Sequence, residues 1–388
     1  MARSAGRLDP STVFCATETC PDKGRVGAGN IGIHSRTKRR YRCHTCGDTF
    51  SATRGTPYYR LHKEAWRMTA VLVLLAHGCP PQAIVAAFEL DERTVTAWLH
   101  RAGGHCAALH THLSEGGQVE VGHVQADEIR VKVRGGVVWQ AMAVALPSRL
   151  WLGGVVGRAR DGALVTRLLE RVRACAASRA LLLCVDGCAA YVGAARTVFR
   201  EPVYTGKRGR PRLVLPPGFL LAQVVKSRQG RRLAEITRRV VVGTEDAVTR
   251  VIAATRGGAA INTAYIERLN ATFRAHLSPL TRRGRGIAHG TALVESGMWL
   301  VGCAYNFCWP HASVRVRAIR GHKWQERTPA MVAGRTDHAW TLDEMLRYPI
   351  PPRTRTVTSK PPRGRQRAHG HLIPFPARPA APPTGRAA

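Results

Sequence analysis

The sequence has few acidic residues, few aromatic residues and no long apolar segment. Its 388 residues include 25 Asp and Glu against 59 Lys and Arg, and only 6% are aromatic. The run AVLVLLA at residues 70–76 is too short to span a bilayer, and the opening MARSAGRLDPSTVF lacks the apolar core of an export signal. We therefore expect no membrane association and a cytoplasmic location.

The shortage of acidic residues indicates what kind of partner the protein has. Lys and Arg gain affinity for nucleic acids because they displace counterions that are condensed on the phosphates. A formal charge of +34 and a pI near 11.2 therefore predict a nucleic-acid partner, and a solvated basic surface without a partner is the alternative. The chain is 45% hydrophobic, which is typical of a globular protein, and its length predicts several domains of roughly 100–200 residues each.

Four of the eleven cysteines lie early in the chain and form two pairs, Cys15-x4-Cys20 and Cys43-x2-Cys46. In a reducing cytosol, two pairs at this separation are typical of zinc ligands, with each pair on a knuckle and a short hairpin between them. Gly47 can adopt the positive φ of the second knuckle, and Phe50 can pack under the metal. Residues 1–58 are therefore predicted to form a zinc ribbon, and stray buried thiols are the alternative.

Residues 59–112 are predicted to be helical. The segments EAWRMTAVLVLLAHG, PPQAIVAAFEL and DERTVTAWLHRAG predict three helices, with Asp91 as the N-cap of the third. Val95, Trp98 and Leu99 would form the buried face of that helix. A tight turn before the last helix is typical of a helix-turn-helix, whose final helix enters the major groove of DNA. The expected DNA contacts are Arg93, Thr94 and Thr96, and a generic three-helix unit is the alternative.

Residues 119–346 alternate between strand and helix patterns. VEVGHVQADEIRVKV, GGVVWQAMAVAL and RLWLGGVVG predict a three-stranded meander, DGALVTRLLERVRACAA predicts a helix, and RALLLCVDG predicts a strand that is buried on both faces. This order is that of an RNase H-like core, so the expected fold class is α/β with a mixed five-stranded sheet. The Pro- and Arg-rich segment 347–388 has too few apolar residues to fold and is predicted to be a disordered basic arm.

Three acidic residues of the α/β region are candidates for one site. Asp127 lies inside the first predicted strand, and Asp186 lies at the carboxyl end of the buried strand, where ligands tend to gather. Glu128 follows Asp127 on the same strand and should point to the opposite face, so only Asp127 is expected to enter the site. Glu267 lies on a predicted helix in a polar stripe with Thr263, Asn270 and Arg274.

Three converging carboxylates need cations, and their hard oxygen ligands select Mg²⁺ or Mn²⁺. Two such ions can activate a water or a 3′-hydroxyl for in-line displacement at phosphorus. Asn270 is expected to fix the third ligand or to contact DNA, and Arg274 is available to a phosphate. In the alternative reading, Glu267 pairs with Arg268 or Arg274 on the helix surface and Asp186 caps the next helix.

The segment ERLNATFRAHLSPLTRRG, preceded by ADEI, CVDG, a cysteine-paired zinc module and a helix-turn-helix, resembles the DDE transposases of the insertion sequence one type. The most specific part is E-x2-N-x3-R followed by His276, Arg282 and Arg283, and YNFCWPHASVR with RTPAMVAGRTDHAWTLDEML is also similar to the end of such transposases. The resemblance spans about residues 12–346. Two features depart from the family pattern, namely the wider spacing of Cys15 and Cys20 and the long Pro-Arg tail.

The resemblance implies binding of terminal inverted repeats, DNA cleavage there, and attack of the 3′-hydroxyls on target DNA. It also implies a bacterial, nucleoid-associated protein with Asp127, Asp186 and Glu267 as its metal-binding triad. His276, Arg282 and Arg283 become further expected DNA contacts. Because two ends must be brought together, a dimer or larger assembly is expected. The alternatives are a catalytically silent DNA-binding regulator and a nuclease or resolvase that cuts without joining.

Overall fold

The structure is a computed structural model that describes residues 8–204, 209–230, 232–280, 288–318 and 323–352. Arg282, Arg283 and nearly all of the predicted basic arm lie outside the described residues. Within the described part of the chain, no helix is both long enough and apolar enough to cross a membrane.

The amino-terminal third contains a small sheet followed by three helices. Its elements are β1 (Ile31–Ser35), β2 (Arg40–Cys43), β3 (Thr49–Ser51), α1 (Ala65–Ala76), α2 (Pro81–Phe88) and α3 (Glu92–Ser114). The strands pair antiparallel in the order β1-β2-β3, so the hairpin predicted between the two cysteine pairs is confirmed.

The larger part of the chain contains the remaining elements. They are β4 (His123–Val133), β5 (Gly136–Ala145), β6 (Trp151–Gly157), α4 (Gly162–Cys175), β7 (Leu182–Asp186), α5 (Ala190–Val198), β8 (Glu201–Val203), β9 (Arg212–Val214), β10 (Leu220–Gln229), β11 (Arg232–Val242), α6 (Glu245–Ala254), α7 (Ala264–His276), α8 (Thr291–Cys303), β12 (Val316–Arg317), β13 (Trp324–Gln325), α9 (Pro329–Val332) and α10 (Leu342–Arg347). A π-helical turn, Ala304–Cys308, extends α8.

The central sheet has six strands in the order β11-β10-β7-β4-β5-β6. The predicted meander of β4, β5 and β6 is confirmed, and β7 lies parallel to both β4 and β10. The expected count of five strands is wrong, because β11 pairs antiparallel along β10 from Leu221 to Gln229 and adds an edge strand. The α/β part of the predicted fold class, a mixed sheet with helices, is confirmed, whereas the described residues form one compact unit and do not confirm the multidomain layout.

The strand β7 is covered on both faces, as its continuous apolar sequence predicts. Leu183 and Val185 belong to the main core, whereas Leu182 and Cys184 pack in a second cluster with Val248 and other apolar residues of α6, β10 and the adjoining strands. Asp186 ends this strand, where its backbone is still paired with Val224 of β10.

Helix α3 extends further than the sequence pattern indicates. A helix ending near Gly103 was predicted, but α3 continues through Gly103 and Gly104 to Ser114. A Cβ on Gly103 would lie 2.6 Å from the Cα of Ser296 in α8, so this glycine permits a close crossing of two helices and does not end the helix. Helix α3 thereby connects the amino-terminal helices to the rest of one compact unit.

Candidate metal centre and nucleic-acid interface

The three predicted acidic residues line one cavity of about 480 Å³. Asp127 lies in the middle of β4, Asp186 is the last residue of the neighbouring β7, and Glu267 lies in the first turn of α7. Helix α7 packs against β4 and β5, which brings its first turn to the carboxyl end of β7. Three separate segments of the chain therefore contribute a carboxylate to the same space.

Glu128 is a fourth carboxylate of this site, although the strand alternation excluded it. Asp127, Glu128 and Asp186 each offer an oxygen within 4.8 Å of the others, whereas Glu267 lines the cavity but is outside this close group. Asp127 is the residue of the pair that lines the cavity, as expected, but the buried carboxylate of Glu128 lies next to those of Asp127 and Asp186, which the alternation did not indicate. Alternation gives the direction of a Cα–Cβ bond and does not fix where a longer side chain ends.

The carboxylate of Glu128 is fully buried, with 0% of its side chain exposed, and it is paired. It accepts hydrogen bonds from Nε of Arg160 at 2.8 Å and from the hydroxyl of Tyr191 at 2.5 Å, and Nη2 of Arg160 lies at 2.7 Å. Nη2 of Arg160 also donates to Oδ2 of Asp186 at 2.6 Å. Arg160 therefore joins the buried glutamate to the predicted metal ligand.

Asp127 is held at both of its oxygens. Oδ1 accepts from the backbone N–H of Glu128 at 2.8 Å, and Oδ2 accepts from Nδ2 of Asn270 at 2.8 Å. The side chain of Asn270 is directed inward and the residue is 1% exposed, so the expected DNA contact of Asn270 is wrong. Its other expected role, holding a carboxylate of the predicted triad in place, fits the structure, although the carboxylate that it contacts is that of Asp127 and not that of Glu267.

The pKa of Asp127 is raised from its ordinary value of 3.8 to about 6, first by burial and then by the charges of Glu128 and Asp186. Burial and the neighbouring carboxylates thus stabilise the protonated form of Asp127 in the folded protein up to about pH 6. A divalent cation in the cavity would offset this repulsion and favour the ionised form.

The raised pKa of Asp127 makes stability depend on pH in the absence of divalent ions. Because the folded state binds more protons between pH 4 and 6, the contribution of Asp127 to stability falls as pH rises through this window. The unfolding free energy of Asp127→Asn minus that of the wild type should therefore increase by about 2–3 kcal/mol from pH 4 to pH 7. Urea unfolding of both proteins at the two pH values, with a chelator present, measures this difference, and a constant difference would contradict it.

The hydrogen bonds of Glu267 and Asp186 differ from those of a surface helix pair and a helix cap. Oε1 of Glu267 accepts from Nζ of Lys226 at 2.6 Å and from Oγ1 of Thr263 at 3.1 Å. Oδ1 of Asp186 accepts from the backbone N–H of Cys188 at 3.0 Å, and α5 begins after Ala189 without a side-chain cap. Asp186 therefore does not cap α5, and the ion pair of Glu267 reaches across to β10.

Two buried glutamines that the sequence reasoning missed hold the backbone around the site. Oε1 of Gln125 accepts from the backbone N–H groups of Tyr265 and Ile266, both at 3.0 Å, so β4 caps the helix that carries Glu267. Nε2 of Gln223 donates to the carbonyls of Asp186 and Cys188 at 3.0 and 3.2 Å. A glutamine within an apolar strand is the signal that could have indicated them, since a buried amide needs partners.

Replacing Gln125 should separate α7 from β4. Gln125→Leu leaves the N–H groups of Tyr265 and Ile266 without their acceptor, and we expect a loss of about 2–3 kcal/mol of unfolding free energy. Amide exchange at those two residues should accelerate at the same time. Gln140→Leu is the matched control, because Gln140 is also fully buried and its amide donates only to the sulfur of Met142 among the bonds seen in the described residues. Equal effects of the two substitutions would contradict the role of Gln125.

The sulfur atoms of Cys15, Cys20, Cys43 and Cys46 all lie within 4.8 Å of one another. Those of Cys15 and Cys46 are 3.6 Å apart, and those of Cys20 and Cys43 are 3.8 Å apart. Four sulfurs arranged tetrahedrally at about 2.3 Å from one Zn²⁺ would be about 3.8 Å apart, so the cluster fits this ion. As predicted, Gly47 has φ of 76°, and Phe50 is buried beside the cysteines.

The three expected DNA contacts at the start of α3 differ in exposure. Asp91 caps α3 as predicted, accepting from the N–H of Arg93 at 2.7 Å, and Arg93 is exposed. Thr94 and Thr96 are half-buried, and both Arg93 and Thr96 line a largely apolar cavity of about 870 Å³ beside α8. Arg93 is thus the most exposed of the three expected contacts, and it shares this cavity with Thr96.

Two further expected DNA contacts, Arg274 and His276, lie at the end of α7. The ring of His276 packs against that of Trp309 at a tilt, with centroids 4.4 Å apart, and its Nδ1 lies 3.1 Å from the carbonyl oxygen of Ala76. Arg274 is half-buried near the same end. His276 therefore joins α7 to α1, which is a packing role.

Comparisons with known proteins give no family for this chain. No known family matches the sequence, and no curated protein matches it either. Among solved structures, a match is a chain in the cryo-EM structure of a simian T-cell lymphotropic virus intasome in complex with PP2A regulatory subunit B56 gamma. It is 10% identical, the match covers 68% of this chain and 73% of that chain, and the TM-score is 0.26. A TM-score of this size does not establish a shared fold.

Proposed function

We propose that the protein is a DDE transposase, which cuts DNA at the ends of an insertion sequence and joins the 3′ ends to target DNA. The observation that carries the proposal is the convergence of Asp127, Asp186 and Glu267, from two neighbouring strands and a helix, on one cavity. A chain with a charge of +34 supports a polyanionic substrate. The resemblance of ERLNATFRAHLSPLTRRG to the insertion sequence one type gives the reaction class.

The residues that would hold Mg²⁺ or Mn²⁺ are the carboxylates of the triad. Asp127 and Asp186 belong to the close group of oxygens, and Glu267 faces the same cavity from α7. All the donors are hard oxygens, which suits these ions. When bound, two such ions supply an activated nucleophile and stabilise the leaving oxygen at phosphorus.

The remaining groups of the site would orient the reacting parts. Asn270 and the backbone N–H of Glu128 fix Asp127, and Cys188 N–H with Arg160 fixes Asp186. Rigid ligands of this kind lower the reorganisation needed when charge develops at the phosphate. Gln125 holds the first turn of α7 against β4, which sets the position of Glu267 relative to Asp127.

The amino-terminal elements would recognise the DNA ends in this proposal. The cysteine cluster with β1–β3 would form the zinc ribbon of residues 1–58, and α1–α3 would form the helix-turn-helix, with Arg93 presented at the start of α3. Pairing of two ends would require a dimer or larger assembly. Because α3 packs on α8, deletion of residues 1–110 would also damage the core, so substitution of Arg93 is the cleaner test of end recognition.

The proposal is tested with the native locus and its flanking DNA as substrate. The protein is incubated with this DNA and Mg²⁺ or Mn²⁺, in parallel with a chelator, and broken and joined 3′ ends are mapped by sequencing. Metal-dependent cuts at defined ends followed by joining would support a transposase. Cutting without joining would favour the nuclease or resolvase, and tight binding of the ends without cutting would favour the regulator.

A further inference from the structure

Two cations of the chain lie in the acidic cavity, and they are anchored differently. Both Arg160 and Lys226 line the cavity together with Asp127, Asp186 and Glu267. Each forms an ion pair with a residue of the proposed triad, Arg160 with Asp186 and Lys226 with Glu267, both at 2.6 Å. Whether these two cations can leave their carboxylates depends on what else holds them.

Arg160 is fixed by a buried carboxylate. Glu128, with no exposed side-chain surface, is bonded to Nε and Nη2 of Arg160, and the guanidinium also lies over the ring of Trp139, 5.5 Å from its centroid. Moving Arg160 away would leave Glu128 buried with only the hydroxyl of Tyr191 as a partner, and a buried charge without its counter-ion is strongly destabilising. Arg160 should therefore stay in place when other cations enter the cavity.

Lys226 is held much less firmly. Its ion pair is with Glu267, whose side chain is 50% exposed, and the lysine side chain itself is 39% exposed. Exposed ion pairs of this kind contribute little to stability, under about 1 kcal/mol. The pairing of β10 with β7 ends at Val224, so at Lys226 the strand is paired with β11 alone. Lys226 can therefore leave Glu267 for another negatively charged partner with only a small loss of stability.

The charges of the cavity indicate what Lys226 would do after such an exchange. Asp127, Glu128, Asp186 and Glu267 carry four negative charges when ionised, and Arg160 with Lys226 carries two positive ones, so the protein groups alone sum to −2. Two divalent ions would change this sum to +2. A cavity of that charge attracts phosphate, and a lysine ammonium released from its carboxylate is an effective phosphate donor.

We infer that Lys226 is a displaceable cation of this site. Without a divalent ion, the ammonium of Lys226 is paired with the carboxylate of Glu267. A divalent ion that binds Glu267 displaces Lys226, which then binds a phosphate of the DNA substrate. The inference rests on the proposed function for its second step. Its first step, competition between Lys226 and a divalent ion for Glu267, requires no DNA.

The first step is tested by titrating Mn²⁺ into the full-length protein without DNA and measuring heat. Lys226→Met should bind Mn²⁺ about tenfold more tightly than wild type, because a nearby like charge disfavours a bound cation. Lys132→Met is the matched control, since Lys132 is an exposed lysine of β4 that does not line the cavity, and it should leave the affinity unchanged. Unchanged or weaker binding by Lys226→Met would overturn the inference.

The second step is tested by fluorescence anisotropy with a short labelled DNA duplex, in Mn²⁺ and in chelator at matched ionic strength. With Mn²⁺ present, the DNA affinity of Lys226→Met should be about three- to tenfold lower than that of Lys132→Met. In chelator, the two variants should have the same DNA affinity. An equal loss in both conditions would show a permanent DNA contact and overturn the switch, as would no loss in either. If the wild type binds both Mn²⁺ and DNA but Lys226→Met behaves like Lys132→Met, the role of Lys226 is refuted and the proposed function is not. If wild type does not bind Mn²⁺, the proposed function fails with it.

Discussion

Glu267→Gln, Asp127→Asn and Asp186→Asn are each expected to lower the rate of DNA cleavage by at least about 10³-fold. An amide keeps the size of a carboxylate but loses the charge that binds a divalent ion. Metal ions contribute several kcal/mol of stabilisation to a phosphoryl-transfer transition state, and about 4 kcal/mol corresponds to about 10³-fold in rate. The three variants should still bind DNA, because the basic surface is unchanged. Single-turnover cleavage of an end-containing duplex, with DNA binding measured in parallel, checks both statements.

The matched control for these substitutions is Glu245→Gln. Glu245 lies in the first turn of α6, as Glu267 lies in the first turn of α7, but Glu245 does not line the cavity. It should keep nearly the full cleavage rate. If Glu267→Gln cleaves as fast as Glu245→Gln, Glu267 is not a ligand, and its ion pair with Lys226 is a structural contact only.

Loss of zinc should unfold the amino-terminal sheet. The buried core of that sheet is small and includes three of the four cysteines with Leu8, Ile31, Tyr41 and Phe50. A core of this size gives little stability, so most of the folding free energy must come from the metal, for which apparent values of about 10–16 kcal/mol are typical. We expect about one zinc per chain in the wild type and loss of that zinc in Cys43→Ser. Elemental analysis measures the zinc, and amide exchange over residues 9–51 measures the unfolding.

Cys79→Ser is the control for the zinc prediction, because Cys79 is half-buried between α1 and α2 and lies outside the cysteine cluster. It should retain both the zinc and the slow exchange. Full zinc content in Cys43→Ser would contradict the assignment, and so would unchanged amide exchange of this region after the metal is chelated.

Much of this fold could be predicted because local patterns match the final environment of each segment. The alternation in β4, β5 and β6, the continuous apolar run of β7 and the amphipathic pattern of α4 each indicate the face that becomes buried. The same patterns place Asp186 at a strand end and Glu267 on a helix. The positions of these acidic residues were therefore accessible from the sequence before any contact was known.

The parts that could not be predicted depend on contacts between distant segments. The ion pair of Glu128 with Arg160 spans 32 positions, and the hydrogen bonds of Gln125 to the start of α7 span 140 and 141. The sequence pattern of β11 indicates a strand but not its antiparallel pairing along β10, and Gly103 resembles a helix end because its close neighbour on α8 is far away in sequence. Such contacts are fixed by tertiary packing, which one-dimensional periodicity does not contain.

Crystallography with Mn²⁺ would show whether Asp127, Asp186 and Glu267 share a divalent metal site. Crystals of the protein are soaked in MnCl₂, and an anomalous difference map locates the ion without any assumption about activity. We expect Mn²⁺ in the cavity, coordinated by oxygens of Asp127 and Asp186, with Glu267 as a ligand of this or a second ion. Mn²⁺ bound by Asp127, Glu128 and Asp186 with Glu267 still paired to Lys226, or no Mn²⁺ in the cavity, would contradict it.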